Sequence, residues 1–402
     1  MPSAVAHGML AGLSEIADIG RDRRAGGYSR HLWEPAEHEL RAWFAERAAR
    51  LGLDVEVDRN GNTWAWWGAP GPDAVVIGSH LDSVPGGGAY DGPLGVVSAL
   101  EAVARLQAAG FVPGRPCAVL VFAEEEGSRF GVACLGSRLL SGAIDADKAR
   151  SLTDRAGITF AEAAVTAGID PAHLGRDQES LDRIGLFLEL HVEQGRGLID
   201  LGEPLAVASS ILAHGRWRMS FTGQGNHAGA TLMSDRSDPM VAAARAIVDV
   251  QEAALASPGS RATVGRIEAL PGGTNVIPSA VHAWLDARAE TDDQVHAVVA
   301  DISARVQNQH AGCSATVVEE SWTSTVTFDP DLAARLALAL GGIPALPTGA
   351  GHDAGVLAAT VPTAMLFVRN PTGISHSPEE FATLDDCLAG VEALDTLLRE
   401  LL

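Results

Sequence analysis

Four short, unbroken apolar runs each lead into a loop crowded with glycine, histidine and carboxylate, and this pairing constrains the fold more than any other feature. Val75–Ile77 leads into Gly78-Ser79-His80-Leu81-Asp82, and Cys117–Phe122 into Glu124-Glu125-Glu126. Leu186–Leu190 leads into His191, and Ala364–Val368 toward Ser375-His376. Runs so short and so uniformly apolar read as strands covered on both faces. Helical segments separate them. Residues 37–51 repeat Leu40, Phe44, Ala48 and Leu51 at the 3.6-residue spacing, and Leu94–Ala109 also reads as a helix. Strands alternating with helices predict an α/β fold with a helix-covered mixed sheet.

The rhythm changes from about Gly215 to Glu320. Arg216–Thr222 reads as a strand, Asp238–Ala256 as a helix, Ala262–Leu270 and Ser279–Ala289 as strands, Asp292–Gln309 as a helix and Ser314–Glu319 as a strand. This βαββαβ order is ferredoxin-like. A chain of 402 residues exceeds the usual single domain. The expected division is therefore a discontinuous domain, residues 1–213 and 325–402, interrupted by a second, residues 214–324. Near the C-terminus, Ser377-Pro378-Glu379-Glu380 carries a helix-start pattern: Ser as N-cap, Pro first, Glu third.

Composition narrows the function classes. The formal net charge of −22 opposes nucleic-acid binding, which needs clustered Lys and Arg. No apolar run is long enough to span a membrane. Met1 to Gly20 has no basic stretch followed by an apolar core, so no secretion signal is expected. Cys117, Cys134, Cys313 and Cys387 are scattered without CxxC spacing, as expected of reduced thiols in a cytoplasmic protein.

The loops carry the chemistry. Ligands bind where strands of an open α/β sheet end. His80 and Asp82 diverge along an extended segment, so His80 could hold a metal while Asp82 orients the imidazole. The glycines before Asp91 let the backbone double back toward the same point. Three carboxylates directly after a buried strand are costly unless paired or metal-bound, and adjacent ones can supply a ligand and a general base. Taken singly, a histidine beside glycine is more often a cap, and an acidic triplet more often solvated. Their joint occurrence at four strand ends favours a metal site of the imidazole–carboxylate type, suited to zinc, manganese or cobalt. Neither a GxSxG elbow nor a strand followed by GxxxxGK[ST] or GxGxxG is present.

The segments GSHLDSVPGGGAYDGPLGV, FAEEEGSRFG, ELHVEQG, GNHAGATLM, GGTNVIPSA and GISHSPEE, in this order from about residue 78 to 381, resemble the amidase/hydantoinase/carbamoylase family of the aminoacylase–carboxypeptidase clan. That family includes N-carbamoyl-L-amino-acid hydrolases, allantoate amidohydrolases and β-ureidopropionases. The resemblance implies two divalent metal ions held by His80, Asp91, Glu126, His191 and His376, with Asp91 bridging. It implies Glu125 as general base and acid, and Asp82 as support for His80. His227 would reach the substrate, often from a partner subunit, and stabilise the developing oxyanion. Asn275 and Arg288 would grip the substrate carboxylate, and Gln194 would contact the ureido end. The inserted domain would act as lid and dimerisation surface, making the protein a homodimer that releases ammonia and carbon dioxide from a small ureido substrate. On their own residues, His227 and Asn275 read equally as turn positions, and Arg288 as a surface strand residue. Departures from the family pattern fall at Arg196, Leu232, Ala287 and Thr348, on the expected pocket rim. An aminoacylase or peptidase of the same clan is the alternative reading. A non-catalytic metal-binding relative would be expected to lack Glu125 or a ligand, and the chain keeps all six.

Overall fold

The computed structural model describes residues 9–308 and 312–402; the expected helix end at Gln309 and the first eight residues of the N-terminal stretch lie outside the described residues. The chain divides into two compact units, Met1–Ser210 with Thr327–Leu402, and Ile211–Val326. In chain order the strands are β1 (Asp54–Val57), β2 (Thr63–Trp67), β3 (Ala74–His80), β4 (Cys117–Phe122), β5 (Ile184–Val192) and β6 (Leu205–Ile211). Next come β7 (Ala213–Thr222), β8 (Asn226–His227), β9 (Arg261–Leu270), β10 (Val276–Ile277), β11 (Ala280–Ala289) and β12 (Ser314–Thr323). The chain then returns with β13 (Val326–Thr327), β14 (Ala345–Thr348) and β15 (Thr363–Val368).

The first unit is built on a mixed sheet ordered β1-β2-β4-β3-β5-β15-β6-β13, with β14 paired to β6. Its centre, β4-β3-β5-β15, is parallel, while β2 and β6 run antiparallel on either side. All four apolar runs singled out in the sequence are these central strands. β3, β4 and β15 are buried along their whole length, as a sheet covered on both faces requires. Helix Leu384–Leu401 buries Cys387, Val391, Leu394, Leu398 and Leu401 and packs on helix Pro93–Ala108, covering one face. Each such side chain contributes roughly 1.5–3 kcal/mol through burial.

The helix start expected at Ser377 does not form. The C-terminal helix begins at Leu384, where the Thr383 hydroxyl accepts the Asp386 amide at 3.1 Å. The sequence pattern also passes over β2, whose Trp64 and Trp66 lie on one face with rings 5.6 Å apart and 3° from parallel. Asp58 organises this corner. Its carboxylate accepts from the amides of Asn60 (2.9 Å) and Asn62 (3.0 Å), from Asn62 Nδ2 (2.8 Å) and from Trp64 Nε1 (3.2 Å).

The second unit has the antiparallel sheet β12-β7-β11-β9, with helices Pro239–Ala256 and Asp292–Asn308 on one face. β11 alternates strictly: Val281, Ala283, Leu285, Ala287 and Ala289 face the helices, and His282, Trp284, Asp286 and Arg288 face away. Among the described residues no helix is long and apolar enough to cross a membrane.

Replacing Asp58 by Ala strands four donors at once. Urea denaturation of Asp58→Ala is expected to give an unfolding free energy lower by roughly 2–4 kcal/mol. A loss below about 0.5 kcal/mol would mean that solvent serves these donors as well as the carboxylate does.

Candidate metal centre

The ends of β3, β4, β5 and β15 lie side by side, so the loops leaving them meet. His80 closes β3 and His191 sits near the end of β5, both fully buried. Each imidazole is oriented through Nδ1. That of His80 lies 3.1 Å from the Asp82 carbonyl oxygen and 3.5 Å from Asp82 Oδ1, and that of His191 lies 2.8 Å from the Val192 carbonyl oxygen. Both Nε2 atoms therefore point inward, and neither has a hydrogen-bond partner among the described residues. Gly92 makes room for this: its φ is +84°, and a Cβ there would meet the His80 ring at 2.5 Å.

Asp91 lies between two groups of potential ligands. Its Oδ1 is 3.1 Å from His191 Nε2 and 3.6 Å from His80 Nε2. Its Oδ2 is 3.4 Å from His376 Nε2, which is itself 3.4 Å from Glu126 Oε2. The donor sets His80–Asp91–His191 and Asp91–Glu126–His376 each converge closely enough to hold one ion, and they share only Asp91. A further set, Glu189–His191–His352, overlaps the first. Its Glu189 is already engaged by Ser79 Oγ at 2.8 Å and the Ala354 amide at 2.9 Å, so it supports the wall of the site. Orphaned imidazole nitrogens facing carboxylate oxygens fit a divalent cation, and the imidazole–carboxylate mix fits zinc, manganese or cobalt.

The acidic triplet splits by task. Glu124 turns away, in a left-handed backbone conformation, and accepts the amides of Arg129 (2.8 Å) and Phe130 (2.6 Å). Glu125 faces the centre, with Oε2 3.6 Å from His80 Nε2. Glu126 faces His376. Asp82 was expected to support His80, but its carboxylate does more: Oδ1 accepts the Glu125 amide (3.2 Å) and Oδ2 the Glu126 amide (3.1 Å). Gln194 also reaches the site, donating from Nε2 to Asp91 Oδ2 at 2.7 Å.

Protonation follows from the crowding. Burial, then Asp91, pushes Glu126 up to about 9; burial, then Asp82, pushes Glu124 to about 8; burial raises Glu125 well above the carboxylate range. Burial opposes charge on His80 and His191, yet the surrounding carboxylates raise both. The two histidines in turn outweigh burial and hold Asp91 well below its usual value. Without cations the pocket keeps protons where positive charge is needed.

The remaining expected residues belong to the second unit. His227 and Asn275 come together there: β8 pairs with β10, and the Ala228 amide donates to the Asn275 carbonyl at 3.0 Å. Arg288 lies at the other end of β11, roughly 27 Å from Ala280 at the antiparallel rise. Its guanidinium donates from Nε and Nη2 to Asp286 at 2.7 and 3.0 Å.

Sequence reasoning passed over two contacts in the first unit. The Cys134 thiol donates to Glu125 Oε1 at 3.3 Å, and Glu380 binds the backbone of the Asp91 loop. No motif signals the cysteine. The SPEE run signals Glu380, but as a helix start. His352 and Asp353 are also buried, and the His352 ring lies 4.5 Å from that of His191.

Comparison with known proteins agrees with this geometry. The profile of Peptidase family M20/M25/M40 matches residues 76–400. The N-carbamoyl-L-amino acid amidohydrolase of Geobacillus stearothermophilus is 36% identical over 390 residues, covering 95% of both chains. The allantoate amidohydrolase of Escherichia coli K12 is 33% identical over 401 residues, covering 96% of this chain and 95% of that one. The crystal structure of a hydantoinase/carbamoylase-family amidase from Burkholderia multivorans superposes with a TM-score of 0.82 at 31% identity, over 97% of this chain and 95% of that one. The chain belongs to the M20/M25/M40 family, in its amidase/hydantoinase/carbamoylase branch of amidohydrolases acting on non-peptide C–N bonds.

Two outcomes are expected. Ligands must lose protons to bind a cation, so loading metal-free protein with manganese or zinc near pH 7 should release protons, and apparent affinity should rise with pH. Calorimetry in buffers of different ionisation enthalpy measures the release; buffer-independent heats would contradict it. Gly92→Ala should weaken cation binding, because the new Cβ displaces His80; unchanged metal content after gel filtration would contradict this.

Proposed function

We propose that this chain hydrolyses the carbamoyl C–N bond of a small ureido carboxylate, an N-carbamoyl-L-amino acid or allantoate, releasing ammonia and carbon dioxide. The observation that carries the proposal is Asp91, whose two oxygens face separate ligand pairs while Glu125 stands beside them. In this reading His80, Asp91 and His191 hold one divalent cation, and Asp91, Glu126 and His376 the other. Divalent cations supply Lewis acidity there, polarising a carbonyl and making water a nucleophile near neutral pH.

The protein groups do the rest. Glu125 takes the proton from the attacking water and delivers it to the departing nitrogen, a role suited to a buried carboxylate with raised proton affinity. Asp82 holds Glu125 and Glu126 by their amides, so base and ligand keep their separation. Gln194 contacts the ureido end, and His227 donates to the developing oxyanion. Arg288 and Asn275 bind the substrate carboxylate. Since Asp286 already takes two donors of Arg288, the substrate must share that guanidinium.

The same strand supports a homodimer. A small substrate cannot touch both ends of β11, so a site using Arg288 with His227 and Asn275 draws them from two copies. The second unit, residues 214–324 as first delimited, would then serve as lid and dimerisation domain. An exposed stripe of Val241, Val248 and Leu255 on helix Pro239–Ala256, beside edge strand β9 with exposed Ile267 and Leu270, offers the surface for a second copy. All four cysteines are buried free thiols, which suits a cytoplasmic location.

The decisive assay measures ammonia release from allantoate, N-carbamoyl-L-amino acids and β-ureidopropionate, with deacylation of N-acetyl amino acids followed in parallel. Chelated enzyme is compared with enzyme reloaded with manganese, zinc or cobalt. Turnover of ureido substrates is expected only after reloading; preferential cleavage of the N-acetyl compounds would favour an aminoacylase instead. Glu125→Gln should retain metal while kcat falls by roughly 10²–10⁴-fold. Near wild-type turnover would place the base elsewhere.

A further inference from the structure

The Ser377-Pro378-Glu379-Glu380 run has the pattern of a helix start but forms none, and Glu380 instead turns inward. It is 4% exposed. Its Oε1 accepts two successive amides of the Asp91 loop, Tyr90 at 3.1 Å and Asp91 at 2.9 Å. Its Oε2 accepts Ser375 Oγ at 2.8 Å, and that hydroxyl also lies 3.3 Å from Asp91 Oδ2. The Glu380 amide donates to the Ser377 carbonyl at 3.1 Å, closing a turn that starts one residue after His376. Gly88 leaves the necessary space, since a Cβ there would lie 2.2 Å from Glu380 Oε1.

One carboxylate therefore ties together the two loops that bring Asp91 and His376 to the centre. The two subsites differ in how they are held. His80 and His191 project from β3 and β5, central strands fixed by parallel ladders on both sides. His376 projects from a loop, in a left-handed backbone conformation (φ 55°) that a non-glycine residue adopts only when its surroundings impose it. Bonds from neutral donors to a buried carboxylate are among the stronger hydrogen bonds available to impose it.

We infer that Glu380 is a positioning residue for the second cation: it fastens the Asp91 loop to the His376 loop and so sets the Asp91–Glu126–His376 subsite, whereas two of the three ligands of the His80–Asp91–His191 subsite are set by the strands. This rests on the two-cation reading above. Removing the fastening costs affinity for one ion of the pair, and the expected size is the roughly 10–100-fold typical of groups that orient metal ligands.

The test titrates chelated wild-type protein, Glu380→Gln and Glu380→Ala with manganese and with zinc by calorimetry, and measures metal content after gel filtration. Glu380→Gln keeps the shape but loses one acceptor oxygen. The expected result is an unchanged tighter site, a second site weakened roughly 10–100-fold, and retained metal falling from two ions toward one. The melting temperature of the chelated variant should stay close to that of chelated wild type. If both sites weaken equally together with a lower melting temperature, Glu380 serves general stability and the inference is overturned. Two intact sites in Glu380→Gln overturn it as well. A wild type that binds fewer than two ions refutes the two-cation reading itself, and the clamp with it. Should neither Glu380 variant fold, Ser375→Ala removes one bond of the same clamp, and the second site alone should weaken by a smaller factor; unchanged binding there overturns the inference.

Discussion

Negative charge confined in a buried space is the constraint on which the rest of the first unit depends. Asp82, Asp91, Glu124, Glu125, Glu189 and Asp353 are all buried around one point, with Glu126 beside them. Lost hydration and mutual repulsion raise the proton affinities of Glu124, Glu125, Glu126 and Asp353. Such a group of acids is stable only if protons, amides or cations neutralise it. Amides take Asp82, Glu124 and Glu189, while Asp91 Oδ1 faces the unpartnered Nε2 atoms of His80 and His191, Glu125 Oε2 faces that of His80, and Glu126 Oε2 faces His376. Asp91 is pulled the other way, because two histidines flank it. Its two oxygens face the two separate groups of potential ligands.

A parallel sheet is the device that assembles these groups. Parallel neighbours end on the same side, so residues far apart in sequence, such as His80, Glu126, His191 and His376, meet without long excursions of chain. The strands hold some ligands rigidly and leave others to loops. Asp82 and Glu380 compensate for the loops: each uses a carboxylate to hold consecutive backbone amides of a neighbouring segment, Asp82 those of Glu125 and Glu126, Glu380 those of Tyr90 and Asp91. Residues on rigid strands and residues on tied loops thus stand side by side within one centre.

The second unit carries its polar chemistry on a separate sheet. Alternation along β11 sends Asp286 and Arg288 to the same open face, where they pair. The length of that strand, far greater than any small ureido compound, keeps Arg288 from His227 and Asn275 within one chain.

The sequence by itself determined the central strands and their polar ends, and singled out the histidines and carboxylates that the fold brings together there. Those follow from local rules: a strand buried on both faces must be apolar throughout, and a histidine or carboxylate directly after it stands out. It also determined the βαββαβ order of the second unit, whose central strand β11 alternates between a buried and an open face. The tertiary structure decided where each carboxylate points. Glu124, Glu125 and Glu126 are chemically alike and adjacent, and in the folded chain the left-handed turn sends Glu124 away while Glu125 faces His80 and Glu126 faces His376. It also decided that Ser377-Pro378-Glu379-Glu380 is not a helix start. A capping pattern offers Glu380 one local partner, whereas the folded chain offers it two amides and a hydroxyl nearly three hundred residues away and close by, respectively, and no local rule can weigh those contacts before the loops have met.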